Sequence, residues 1–349
     1  LAHYVVDGTG NSPGLKERPH ENSRPPASLR CLVLMTTGDV GTMFSGQVDA
    51  HAPLAALRGQ KGVLAIITGT HGPSYRPLGA MMAVIPGGRR VGMLSSGCID
   101  GDVEFHAKEA LRDGRPRSLR YGQGSPFVDI RLPCGGGLDV LILPDPDPAM
   151  IAKVLADLSA RRVGGFSVDA ATGAMAETDR PTGMQDGRFH VRLMPEIRLL
   201  AFGKGPEVVT LAAMAQAAHF PLHLLSHDEE TLDLARAAGC PLRHITSAAI
   251  PEDLRPDAHT AVALLFHDHD WEPPILRDAL VSPAFYVGAL GSRGANAIRL
   301  AALRKLGVGE EAIARLRAPI GLIPSTRDPR TLAVSILAEM LAVGQERGT

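Results

Sequence analysis

The chain has 349 residues, of which 45% are hydrophobic and 21% charged, and a formal net charge of −1, so it reads as globular and long enough for two domains. No excess of positive charge is present to drive nucleic-acid binding, and no apolar run approaches the ~20 residues that span a bilayer, so neither partner is expected. Cys31, Cys98, Cys134 and Cys240 lie at wide, unequal spacing that makes neither a disulfide framework nor a CxxC metal pair; reduced thiols in the cytoplasm and no metal site are expected.

Residues 1–45 are expected to be a disordered extension. The first part lacks an initiator methionine, is rich in Pro, Gly, Asn and charge, and has no apolar signal-peptide core; Met35 or Met43 are candidate true starts. Residues 46–160 read as a mixed α+β domain. After a short helical approach, GVLAIITG at 62–69 predicts a buried strand. A loop dense in turn formers and polar tips follows, Thr70 to Gly79, with Ser74, Tyr75 and Arg76 at its centre. Two strands joined by Pro86-Gly87-Gly88 must then run antiparallel.

Ser95-Ser96-Gly97-Cys98 leads into a helix whose buried face is Ile99, Val103, Ala107, Ala110 and Leu111. Ser95 or Ser96 is the expected cap, which places the Cys98 sulfur near the positive end of that helix. Between two further strands lies Pro133-Cys134-Gly135-Gly136-Gly137, where consecutive glycines leave a thiol and several amides open to a close-fitting anionic or sulfur-bearing ligand. Arg76, held between turn formers, suits clamping of a phosphate or carboxylate. Cys31 and Cys240 look inert. A helix at 148–160 closes the domain, and residues 161–195, less regular but with strands expected at Gly165–Val168 and Phe189–Met194, are taken as a linker region.

From 196 to 349 strand and helix alternate, which predicts a Rossmann-like parallel sheet. The strand at 197–202 meets Gly203-Lys204-Gly205-Pro206-Glu207 and opens into a helix, the arrangement that sets a ligand phosphate on helix N-terminal amides. Val208 stands where the third small residue belongs, so looser helix–strand packing is expected there. Ser226 stands about where an acid would hold the ribose hydroxyls of NAD. His267-Asp268-His269-Asp270 and Gly291-Ser292-Arg293 follow two later strands, so both should face the same crevice as Gly203 and Gly205. The histidine–aspartate run reads as a polar crevice wall, because only alternate members of an extended run converge.

The motifs GTHGPSYRPLGAMM, GMLSSGCIDGDVEFHAKEAL and PCGGGLDVLI, then GKGPEV, HDHD, FYVGALGSRGANAIRL and APIGLIPSTRDPRTLAVSILAEML, resemble in order the XdhC/CoxI family, over about residues 60–345. That resemblance implies an accessory factor for molybdenum hydroxylases such as xanthine dehydrogenase. Such a factor binds molybdenum cofactor (molybdopterin), assists its sulfuration and passes it on, acting as a chaperone more than as an enzyme with its own turnover. It also implies an apo-hydroxylase and a cysteine desulfurase as partners; a homodimer is the common expectation for such a chain. The glycine turn departs from the family's usual pattern at Lys204, Pro206, Glu207 and Val208. On this reading Cys98 and Cys134 handle sulfur, and Ser74, Arg76, Gly97, Gly135 and Gly136 hold the cofactor. Gly203, Gly205, His267, Gly291, Ser292 and Arg293 would hold its anionic part, a nucleotide or NADP. The competing readings are an NAD(P)-dependent oxidoreductase, resting on the Rossmann pattern, and a scaffold that binds no small molecule.

Overall fold

A computed structural model describes residues 49–125, 132, 135–266, 270–324 and 326–346. Cys31, Cys134 and His267, and the extension expected at 1–45, lie outside the described residues.

After the short helix α1 (Ala52–Ala56), the first sheet is wholly antiparallel. It is built from β1 (Val63–His71), β2 (Met81–Ile85), β3 (Arg89–Gly92), β4 (Arg117–Gly122) and β5 (Gly137–Pro144), in the order β3-β2-β1-β5-β4. The run Val63 to Ile67 is buried on both faces because β1 is the central strand of a sheet covered on both sides. On one face α2 (Asp100–Asp113) lays Ile99, Val103, Ala107 and Ala110 against Val63, Ala65, Ile67 and Val140. Burying each larger member of that stripe stabilises the fold by roughly 1.5–3 kcal/mol. The opposite face carries Leu64, Ile66, Leu141 and Leu143. It is covered by α3 (Pro148–Ser159), which starts cleanly because Asp147 caps the Ala149 N–H at 2.9 Å with proline in the first turn.

The stretch read as a linker holds a second antiparallel sheet, β7-β6-β9-β8, from β6 (Gly164–Val168), β7 (Met175–Glu177), β8 (Gly183–Gln185) and β9 (Arg188–Leu193). Phe166, Val168, Phe189 and Val191 are almost fully buried in the same core as α3 and the first sheet. Its edge strands β7 and β8 are three residues each and largely exposed, which is why no periodicity marks them.

The third sheet is parallel and comprises β10 (Arg198–Gly203), β11 (Leu222–Ser226), β12 (Leu242–His244), β13 (Thr260–Leu265), β14 (Tyr286–Ala289) and β15 (Leu316–Arg317). Its order, β12-β11-β10-β13-β14-β15, is the doubly wound 3-2-1-4-5-6 arrangement, and the order reverses beside β10. Helices α4 (Pro206–Ala217) and α9 (Pro329–Glu346) share a core on one face, whereas α6 (Glu272–Val281), α7 (Arg293–Lys305) and α8 (Glu310–Ala314) contribute to the core on the other. Helix α5 (Glu229–Ala237) joins β11 to β12. The packing expected to be loose at Val208 is tight. Val208 is 0% exposed, and a Cβ added to Gly203 would stand 3.0 Å from its Cβ, so the missing side chain of Gly203 makes the room.

Candidate functional site

Cys98 sits in a loop organised by one buried carboxylate. Asp100 Oδ1 accepts from the Leu94 N–H at 2.8 Å and the Ser95 N–H at 3.4 Å; Oδ2 accepts from the Ser95 hydroxyl at 2.7 Å and the Gly97 N–H at 3.1 Å. Ser95 Oγ in turn accepts from the N–H groups of Gly97 and Ile99 at 3.0 and 3.3 Å. The expected serine cap is therefore absent. Ile99 occupies the cap position without a side-chain bond, and Ser95 works on the turn before it. The outcome is a rigid turn that holds Cys98 exposed, its sulfur 3.5 Å from Ser96 Oγ.

The loop after β1 closes on the turn before β5. A Cβ on Gly136 would lie 2.1 Å from the Pro73 carbonyl oxygen and 3.0 Å from that of His71, so these backbones touch directly and only glycine fits. Ser74 donates to the Arg76 carbonyl at 2.6 Å, tightening the tip. Arg76 Nε is buried without a hydrogen-bond partner among the described residues. Beneath the loop, Arg120 donates from Nε and a terminal nitrogen to the two oxygens of Asp139 at 2.6 and 2.9 Å, and His71 Nε2 lies 2.8 Å from Asp139 Oδ2. Arg120 first, and His71 after burial is offset, hold the Asp139 carboxyl below its usual range.

These loops enclose a cavity of about 410 Å³ lined by Ser74, Tyr75, Ser96, Cys98, Leu132 and Leu138, with Pro73 and Ser95 completing the wall. Three stretches of sequence far apart in the chain thus meet: the polar loop, the Cys98 turn, and the segment whose Leu132 and Gly135–Gly137 flank Cys134. Gly97 belongs to the same turn, and Arg76 stands beside the cavity without lining it. The exposed sulfur and the hydroxyls, together with the apolar Leu132 and Leu138 in the same lining, suit a ligand with a polar reactive end. His71, Asp100 and Asp139 lie inside the quoted motifs but were not singled out as site residues; the Ser95-to-Asp100 spacing just before a helix was the available signal for Asp100.

The second group gathers at the carboxyl edge of the parallel sheet. Gly291, Ser292 and Arg293 lie where β14 turns into α7, with Ser292 Oγ accepting from the Ala295 N–H at 3.2 Å as its cap. With Glu207, Gly321, Thr326 and Arg327 they border a cavity of about 860 Å³. Buried Arg299 and Glu272, each 3% exposed, pin this turn: Arg299 pairs with both carboxylate oxygens of Glu272 and donates to the Leu290 carbonyl. Opposite, Glu339 Oε2 accepts from the Tyr286 hydroxyl at 2.6 Å and the Gly321 N–H at 2.8 Å, so α9 holds the far wall. Gly203 and Gly205 do not border that cavity. Ser226 does not face it either: it is 0% exposed, and its hydroxyl accepts from the Asp228 N–H at 3.1 Å. Cys240 is buried, and burial pushes its thiol up, in keeping with an inert residue.

An antiparallel sheet with an exposed thiol at a cavity is thus followed in one chain by a doubly wound parallel sheet. A model described as the XdhC and CoxI family matches residues 55–122, and one described as the XdhC Rossmann domain matches residues 199–340. The molybdenum cofactor insertion chaperone PaoD of Escherichia coli (strain K12) is 36% identical over 291 residues, covering 83% of this chain and 85% of PaoD. A Bacillus subtilis (strain 168) protein, named as a probable xanthine dehydrogenase subunit, is 25% identical over 326 residues, 81% of this chain and 93% of its own. A Bacillus halodurans crystal structure described as a xanthine dehydrogenase superposes with a TM-score of 0.67 at 23% identity, over 85% of this chain and 95% of that one, which shows a shared fold. The chain belongs to the XdhC and CoxI family. Among the described residues no helix is long and apolar enough to cross a membrane.

Proposed function

We propose that this protein is a molybdenum cofactor insertion chaperone that serves a molybdenum hydroxylase in the cytoplasm. The observation that carries the reading is the exposed Cys98 sulfur at a cavity where the Ser74–Arg76 loop and the segment flanking Cys134 converge. The residues fit the group. Cys98 addresses the metal–sulfur end, a role shared in this scheme with Cys134; the Ser74 and Ser96 hydroxyls in the cavity lining offer polar contacts to the pterin, and Gly135 and Gly136 belong to the adjoining turn. The unpartnered Nε of Arg76 offers a donor to an oxyanion. When bound, the cofactor supplies the molybdenum and sulfur chemistry; this chain binds it, orients it and shields it. The kinship with PaoD, itself named for this role, supports the assignment.

In this scheme the cofactor-holding part is 46–160, and 196–349 contributes a second ligand site. An apo-hydroxylase receives the cofactor, a cysteine desulfurase delivers sulfur, and the working form is a homodimer.

The test is uptake and transfer. Protein purified anaerobically from molybdenum-replete cells is assayed for molybdenum and pterin, and the apo form is titrated with molybdenum cofactor and then mixed with apo-hydroxylase. The expected result is near-stoichiometric uptake, with affinity and hydroxylase activation falling about tenfold or more in a Cys98→Ala/Cys134→Ala variant. Uptake and activation unchanged in that variant would remove the thiol role.

A further inference from the structure

In a Rossmann domain a dinucleotide lies across the carboxyl edge, its pyrophosphate on the first glycine turn and one nucleoside to each side. The residues at this edge do not fit that group. The Gly205 N–H, which would meet a phosphate, already donates to Thr231 Oγ1 at 2.9 Å, and Thr231 is 1% exposed. Lys204 Nζ pairs with Asp228 Oδ1 at 2.8 Å, while Asp228 Oδ2 accepts from both the amide and the hydroxyl of Thr231 at 2.9 and 2.6 Å. The Lys204 ammonium, then the Thr231 donors, hold the Asp228 carboxyl at about 2, so the ring of contacts is charged at every physiological pH. Glu207 adds a carboxylate to the first turn of α4, its Oε2 3.4 Å from where a Cβ on Gly205 would stand.

The nucleoside side is filled as well. His227, just after β11, stacks on Trp271 with ring centroids 4.2 Å apart and planes 5° from parallel, and lies 5.8 Å from the ring of Phe266. Phe266 and Trp271 follow β13, and β10 runs between β11 and β13. The stacked rings therefore bridge the strand ends on either side of β10, the ground a dinucleotide must cross.

What stays open is the cavity of about 860 Å³ on the β14 side. That volume is within the ~300–1,000 Å³ of small-molecule sites. Two guanidiniums, Arg293 and Arg327, border it against one carboxylate, Glu207, while Leu290, Ile320 and Leu332 give it an apolar wall. Planar guanidiniums favour phosphate oxygens, and an apolar wall favours a flat ring.

We propose that the crevice excludes dinucleotides and takes a single phosphomonoester of mononucleotide size, its phosphate at Arg293 and Arg327. This goes beyond the cofactor reading of the Cys98 cavity and stands or falls separately from it.

The full chain is titrated calorimetrically with AMP, inorganic phosphate, NAD+ and NADP+, and tryptophan emission is followed in parallel, because Trp271 is the only tryptophan in the sequence. AMP should bind with submillimolar Kd, about tenfold or more tighter than phosphate or either dinucleotide, and Arg293→Ala/Arg327→Ala should weaken it at least about tenfold. The Trp271 emission should stay unchanged as AMP binds. NAD+ or NADP+ binding as tightly as AMP, with a shift in tryptophan emission, overturns the exclusion. Absence of AMP binding at ~5 mM, or phosphate binding as tightly as AMP, overturns the ligand class. AMP titration of Cys98→Ala separates the two sites: AMP affinity should be unchanged in that variant, and its loss there would overturn the independence of the crevice.

Discussion

At the scale of the residue, Asp100 organises the turn that carries Cys98, although it was not singled out among the candidate site residues. Its carboxylate is 4% exposed and accepts four hydrogen bonds from the turn that carries Cys98. Removing it strands buried amide donors, each costing about 1–3 kcal/mol when left unpaired. Asp100→Ala is therefore expected to lower unfolding free energy by about 3 kcal/mol in urea titrations, and Asp100→Asn by less, because the amide oxygen can still serve one pair of donors. If the carboxylate also fixes the sulfur, Asp100→Asn should alter the rate at which Cys98 reacts with a disulfide reagent; an unchanged rate would confine Asp100 to stability. Cys98 was legible as a candidate because a cysteine at a helix start among glycines is unusual chemistry. Asp100 was not, because an aspartate in that place reads as an ordinary first-turn acid until its own loop folds back on it.

At the scale of the element, two buried carboxylates shape the second cavity from opposite sides: Glu272 on α6, through Arg299 on α7, and Glu339 on α9. Glu272→Ala leaves the Arg299 charge buried and alone, which typically costs about 3–5 kcal/mol. Circular dichroism melts should show that loss. The Glu272→Ala/Arg299→Met double variant should recover a large part of it, because replacing a buried pair by apolar groups is often neutral. In the first domain, Gly136→Ala would drive a methyl into the Pro73 carbonyl, so the 71–76 loop must move; proteolysis of that loop should accelerate.

Elements of this kind were unevenly legible. The β1 run and the α2 stripe announce themselves because central strands are continuously apolar and half-buried helices are periodic. The parallel sheet was readable from its strand–turn–helix alternation. Of the second sheet the two central strands were legible, but its edge strands were not, because they are short and largely exposed, and its place in the core of the first sheet shows only in the packing of its phenylalanines. The filling of the glycine turn escaped for a related reason: Thr231 and Asp228 lie more than twenty residues from Gly205, and the turn itself retains the spacing of a phosphate-binding one.

At the scale of the whole molecule, the Arg161 guanidinium ties the helix that ends the first half to the Rossmann sheet. Arg161, in the turn after α3, donates from Nε and a terminal nitrogen to the two oxygens of Asp257 at 2.8 and 3.1 Å. It also donates to the backbone carbonyls of Glu196 and His259 at 2.6 and 3.0 Å, just before β10 and β13. Burial alone would raise the Asp257 carboxyl; the Arg161 bonds, the His259 amide and the Thr260 hydroxyl outweigh it and hold it at about 2. The folded state therefore binds that proton less tightly than the unfolded chain, whose carboxyl keeps its ordinary value of 3.8. Its stabilisation is present in full above pH ~4 and is lost as pH falls toward ~2, a contribution of about 2 kcal/mol. Asp257→Asn should accordingly melt below the unmodified protein at pH 7, and the gap should close as both are titrated to pH ~2. A gap independent of pH would mean that the residue acts through shape alone. Arg161→Ala should lose the same pH-dependent stability and also let the two halves unfold in separate steps by calorimetry, since it removes four contacts across the junction at once. A single sharp transition in that variant would place the coupling in the apolar packing instead of the ion pair.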